Sequence, residues 1–220
     1  MSEYLLVKLL HILGFAYWLG ADLGVFYTSY FVVNDKLSTD VRLTCARILF
    51  ALDQAPRICM TMMLPLGAHL AWRLGVLPID TPMMIAIWML SFGWLAMVIT
   101  LHHSSNSKLK AMLTTFDFWF RLTLSLGLIG FGVLQIMSDS PILPYWVAIK
   151  LLIFGSLVGC GLIIRIKLRP FGAAFSSLAS GNANDEDNRN IRSSLDATRP
   201  FVITIWIGLI ASAALGLHLL

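Results

Sequence analysis

The stretch 5–31, LLVKLLHILGFAYWLGADLGVFYTSYF, decides the fold. A hydrocarbon core about 30 Å thick is crossed by about 20 apolar residues at a helical rise of 1.5 Å each. This stretch exceeds that length with Lys8, His11 and Asp22 as its readily charged side chains. It begins too early and runs too long for a cleavable signal, and no small-residue cleavage site closes it. It is expected to be a mature membrane-spanning helix.

The rest of the chain repeats the pattern. Further apolar stretches at 43–74, 83–102, 118–137, 143–166 and 201–220 predict an all-α polytopic bundle of six spanning helices in one domain. In the second, amphipathic sequence from Leu43 to Ala55 extends the apolar part that starts at Pro56, and Pro56 is expected to kink it. Of the 220 residues, 58% are hydrophobic and 13% charged, and the mean hydropathy is +0.79. An ordinary soluble domain is about one-quarter charged, so disorder, a nucleic-acid module and a disulfide scaffold are excluded. Cys45, Cys59 and Cys160 stand apart in apolar surroundings and read as small core residues.

The charged loops set the expected orientation. Lys36 and Arg42 follow the first helix, Lys108 and Lys110 the third, and Arg165, Lys167, Arg169, Arg189, Arg192 and Arg199 the fifth. The loops after helices two and four offer only Arg73 with Asp80, and Asp139. The positive-inside rule puts the odd-numbered loops in the cytoplasm and both termini outside. The segment 172–199, with its polar run GNANDED, is expected to be a mobile cytoplasmic loop holding at most a short helix.

Ionisable groups within spanning helices are costly and mark function. Tyr4, Lys8, His11, Phe15, Trp18 and Asp22 recur at spacings of three and four and form one stripe. Counted at 1.5 Å per residue, His11 lies about 9 Å below the outer boundary, His69 about 8 Å and Lys150 about 10 Å. Three potential ligands thus converge on one level from three helices. Imidazole is an axial ligand of haem iron, and facing helices that each offer a His hold the ring edge-on. This places His11 and His69 as ligands of haem b, with Phe15 and Trp18 against the macrocycle and Arg73 and Lys150 at its propionates.

Other features have plainer readings. Lys8 and His218 are near enough to the outer surface to snorkel, and His102 with His103 finds no second ligand at its level. Gly20 and Gly24 suit close helix packing. Asp22 and Arg57 match in depth and are expected to pair, with Asp53 competing for Arg57 from one turn away. Met60, Met62, Met63, Met83 and Met84 are potential soft copper ligands but read first as core filling.

On Lys8-Leu9-Leu10-His11-Ile12-Leu13 with Trp18-Leu19-Gly20, and on Trp146-Val147-Ala148-Ile149-Lys150-Leu151-Leu152 with the basic exit Arg165 to Arg169, the chain resembles the HemJ-type protoporphyrinogen oxidase and CopD-type membrane families. The resemblance covers about half the chain, which carries two more expected helices than the HemJ-type proteins. It implies that His11 and Lys150 serve haem b binding and activity. The leading expectation is a haem b electron-transfer protein, a cytochrome b-like membrane component working alone or as a subunit of a respiratory or dehydrogenase assembly. Its expected partners are membrane lipid, a quinone or quinol, a redox subunit or a second copy of the chain, and not nucleic acid. The expected location is the bacterial inner (plasma) membrane. Two alternatives stand beside it: a HemJ-like oxidase of protoporphyrinogen IX, and a CopD-like copper-handling permease. In the leading reading His69→Ala destroys the haem spectrum and Lys150→Met only shifts the potential. In the HemJ-like reading those two outcomes are exchanged.

Overall fold

The computed structural model describes residues 3–217. They form α1 Glu3–Val32, α2 Thr39–Leu52, α3 Gln54–Arg73, α4 Thr81–His103, α5 Ser107–Met137, α6 Tyr145–Lys167, α7 Arg169–Ala179 and α8 Asp185–Gly216, with no strand among the described residues. The protein is therefore all-α. Five helices, α1, α4, α5, α6 and α8, are long and apolar enough to cross a membrane. The sixth expected span, α3, falls short: Gln54, Arg57, His69 and Arg73 dilute its 20 residues. It packs between α1 and α4 and buries Thr61 and His69 inside the bundle.

Four expected segments differ from the sequence reading. The expected helix 43–74 is two helices broken at Asp53, not one helix kinked at Pro56. Pro56 has no N–H to give the carbonyl one turn earlier, and its ring crowds that carbonyl, so the break falls ahead of the proline. The expected loop 172–199 is mostly helix. Past the end of α7 at Ala179 stands Gly181, whose φ of +74° suits a glycine, with Asn182 N–H donating to Ser177 O at 3.0 Å and Gly181 N–H to Leu178 O at 3.2 Å. Asn184 then opens α8: its side chain accepts from Asp187 N–H at 2.8 Å, and Asp187 accepts from Asn184 N–H at 3.2 Å. Finally, the expected spans 118–137 and 201–220 are the apolar ends of longer helices that start at Ser107 and Asp185, the latter running on through Pro200.

Neighbouring helices alternate in direction. Glu3 at the start of α1 lies beside His69 near the end of α3, and Lys150 near the start of α6 lies beside Gly216 at the end of α8. The opposite, basic end is covered by α2 and α7, which with the ends of α1 and α8 enclose a second apolar cluster around Val32, Leu49, Phe171 and Ile191. Buried Arg42 fastens this cap: Nε donates to Val32 O at 2.9 Å, capping α1, and Nη1 donates to Asn188 Oδ1 at 2.9 Å.

The main cluster gathers Trp18, Met60, Trp94, Val98, Leu157 and Leu209. Beside it α5 and α6 touch backbone to backbone. A Cβ on Gly155 would stand 2.9 Å from Ser125 O, and Ser125 Oγ donates to Gly155 O at 2.8 Å. Packing of this kind, not apolar burial, holds helices together in lipid. Gly155→Ala should therefore cost about 1–3 kcal/mol through overpacking, read as a lower midpoint of thermal unfolding in detergent. Gly127→Ala, on the same pair but with nothing within 4 Å of the added carbon, is the neutral control. Equal midpoints for the two variants would refute the close approach. Of the expected small pair, Gly24 faces Leu52 at 3.0 Å from an added Cβ, while Gly20 faces open space.

Candidate functional site

At the end where the α1 N-terminus lies, the structure brings together two of the three residues expected on one level. His11 faces α3, where a Cβ on Gly67 would meet its Cε1 at 3.3 Å, and its Nδ1 is buried without a hydrogen-bond partner. Lys150 on α6 is within electrostatic reach of His11. Its Nζ fills the space a Cβ on Gly216 would need, 2.6 Å away, and stands 5.3 Å from the Trp146 ring centroid.

His69 is engaged elsewhere. Trp88 Nε1 donates to its Nδ1 at 3.3 Å, and its Nε2 lies 2.9 Å from Glu3 Oε1. Accepting at Nδ1 puts the ring proton on Nε2, which faces the carboxylate without a well-aligned hydrogen bond, so in this orientation neither nitrogen offers iron a free lone pair. Gly67 and His69 are two residues apart, about 200° around a helix, so the face of α3 that meets His11 is not the one carrying the His69 ring. Arg73 is exposed, 4.0 Å from Glu3 Oε2. Trp18 is buried edge-on to Phe154 at 6.3 Å in the main cluster, and Phe15 packs against that cluster.

For the haem that the resemblance implies, His11 fits, since a buried imidazole nitrogen without a partner is an unmet demand. The His69 ring, turned to Trp88 and Glu3, does not. Among the described residues no group of three or more His, Cys, Asp or Glu side chains is placed to hold a bare metal ion. A porphyrin-held iron asks for only one or two side chains.

A second constellation, in the basic half, has no counterpart in the sequence reading. Asp117 on α5 is fully buried and accepts from Trp94 Nε1 at 3.2 Å, from Arg121 Nε at 2.9 and 3.0 Å, and from Arg165 Nη2 at 2.7 Å. Arg121 and Arg165 reach on into a cavity of about 600 Å³, which Trp18, Met60, Arg57 and His102 also line. The expected pairing of Asp22 with Arg57 is not formed. Arg57 Nε donates to Asp53 at 2.7 Å, one turn away, and Asp22 Oδ2 accepts from Trp206 Nε1 at 3.0 Å. The local partner prevails because it is held at helical spacing without ordering a second helix.

The signal for the cluster was present in Asp117-Phe118-Trp119-Phe120-Arg121, an i, i+4 acid–base pair set among aromatics. Starting the helix at 118 left Asp117 outside the span, and Arg165 passed as part of the basic exit. Of the remaining histidines, His103 contacts Ile99 O at 3.1 Å, and His218 lies outside the described residues. Compared with protein-family models, curated proteins and solved structures, the chain matches none.

Proposed function

We propose that this chain is a multi-pass membrane protein that holds b-type haem through His11 and serves electron transfer. The observation that carries the reading is the buried His11 Nδ1 with no hydrogen-bond partner, within electrostatic reach of Lys150. When bound, the haem supplies one-electron cycling between ferric and ferrous iron. The chain's part is to offer the imidazole nitrogen, to keep water from it behind α3, and to supply positive charge for propionates from Lys150 and, at the exposed rim, Arg73. A quinone, a redox subunit or a second copy is the proposed electron partner, in the bacterial inner membrane.

A second reading, oxidation of protoporphyrinogen IX, is favoured by one specific observation: Lys150 acts electrostatically on His11, whereas the nitrogens of His69 face Trp88 and Glu3. The same observation reverses the weight given to the two variants from sequence. We expect His69→Ala to keep its haem and Lys150→Met to lose most of it, read as reduced-minus-oxidised spectra of the purified full chain. Haem kept by Lys150→Met and lost by His69→Ala would restore the bis-His arrangement. A wild-type protein without a Soret band, produced with haem in supply, would end both readings.

The proposed topology has α3 as a sixth crossing and both termini outside. It is supported by the alternating helix directions and by the concentration of Lys and Arg at the end capped by α2 and α7. Ser180→Cys, in a chain whose Cys45, Cys59 and Cys160 are replaced by Ala, should resist an impermeant maleimide on intact cells and react once they are opened. Labelling from outside would invert the orientation.

A further inference from the structure

We propose that the cavity in the basic half is a binding site for an anionic amphiphile, with a carboxylate or phosphate head on Arg121 and Arg165 and an apolar body against Trp18, Met60 and Leu157. This site is separate from His11, lies in the opposite half of the bundle, and stands or falls without the haem reading.

The first support is an excess of hydrogen-bond donors. Asp117 is one carboxylate shared by two guanidinium groups, and its acceptors are taken by Arg121, Arg165 and Trp94. Arg121, only 5% exposed, is left with Nη1 turned to the Met60 thioether at 3.6 Å, a poor acceptor for a charged donor. Arg165 has a buried Nη1 with no hydrogen-bond partner. Both side chains line the cavity, so two positive groups short of acceptors border one space. An oxyanion satisfies them, since guanidinium groups recognise carboxylate and phosphate through charge-assisted hydrogen bonds.

The second support is charge. Asp117 offsets only one of its two arginines, and Arg57 on the wall is already neutralised by Asp53. Lys110 adds a further positive group to the lining, and the remaining wall carboxylate, Asp22, is held by the neutral donor Trp206. The cavity thus favours an incoming negative charge.

The third support is size and lining. A volume of about 600 Å³ lies within the range of small-molecule sites. Beyond the arginines the wall includes Trp18, Met60 and Leu157 from the main apolar cluster. A bare inorganic anion would leave that wall without a partner, whereas an amphiphile covers both parts.

Such a ligand comes either from the bilayer, as an anionic phospholipid, or from solution, as a long-chain carboxylate. The test uses the purified full chain, with ω-bromoundecanoate and a bromo-acyl phosphatidylglycerol as probes and the matching phosphatidylcholine as control. Trp18 on the wall and Trp94 against Arg121 report contact through quenching of their fluorescence by bromine. We expect saturable quenching by one anionic probe, and the probe that succeeds identifies the source. Arg165→Gln, which keeps the Arg121–Asp117 pair, should weaken binding at least about tenfold, the loss of one charge-assisted hydrogen bond. Gly161→Phe should abolish it, because Gly161 lines the cavity with nothing within 4 Å of an added Cβ, so the ring fills the site without disturbing a charge. Equal quenching by phosphatidylcholine, absence of saturation with both anionic probes, or wild-type binding in both variants would overturn the proposal.

Discussion

His11→Ala is expected to abolish the Soret band of the purified protein. The reason is geometric. His11 carries a buried nitrogen without a hydrogen-bond partner, and the neighbouring ring of His69 accepts from Trp88 at Nδ1 and turns its Nε2 to the Glu3 carboxylate. No side chain on its own face can take over, because Lys8, one turn outward, is exposed and Phe15, one turn inward, has no ligand atom. Gly67 makes the loss specific: it leaves room for the ring, so the alanine variant opens a small void and disturbs no backbone. The folded yield should stay near that of the wild type while the spectrum disappears. Adding imidazole to the purified variant should restore part of the spectrum, a readout that a merely structural histidine would not produce. A wild-type spectrum in His11→Ala would remove haem ligation from α1.

The largest expected loss of stability belongs to Asp117→Ala. The carboxylate is fully buried and anchors Arg121, itself 5% exposed. Removing one partner of a buried ion pair leaves the other charge uncompensated and costs about 3–5 kcal/mol. Here the carboxylate also joins α4 through Trp94 and α6 through Arg165, so three helices lose a common tie. Thermal unfolding in detergent should fall by about 10 °C or more, taking 2–4 °C per kcal/mol for a chain of this size. Arg165→Gln, with Asp117 still neutralised by Arg121, should fall by much less. If the two variants unfold at the same temperature, Asp117 does not tie these helices together.

Most of the helical architecture was legible because lipid imposes a simple rule, that long apolar runs become helices. What the rule cannot show is where a helix continues into polar sequence. α5 and α8 each extend beyond their apolar parts, at Ser107 to Asp117 and Asp185 to Arg199, because caps at Asn106 and Asn184 start them earlier. Hydropathy reports solvent, whereas capping reports hydrogen bonding, and only the latter set those boundaries. It also cannot resolve α3, where Arg57 is paired one turn away with Asp53 and His69 meets Trp88 of α4 and Glu3 of α1. Counting depth placed His11, His69 and Lys150 on one level, but depth does not specify which way a ring points. His69 turns to Trp88 and Glu3, and Glu3 precedes the apolar run, where a charged residue needs no partner in the bundle. The Asp117 cluster was missed for a related reason: its members are near the ends of the apolar stretches, where a charged residue needs no explanation in one dimension. Their convergence exists only once α4, α5 and α6 are packed.

The cap built by α2 and α7 has a different relation to temperature from the bundle beneath it. Helices of 14 and 11 residues are too short to cross a bilayer. If the cap stands in water, opening the apolar cluster they close over Val32 and Ile191 hydrates nonpolar surface with a positive change in heat capacity. Parting two helices inside lipid exchanges one hydrocarbon neighbour for another and carries little such change. Cooling consequently loosens the cap, which depends on the hydrophobic effect, while the grip of α5 on α6 at Gly155 scarcely alters. The two parts of the chain should therefore respond differently to temperature, and the arginine-lined cavity borders both, with Phe50 of α2 and Leu157 of α6 in its wall.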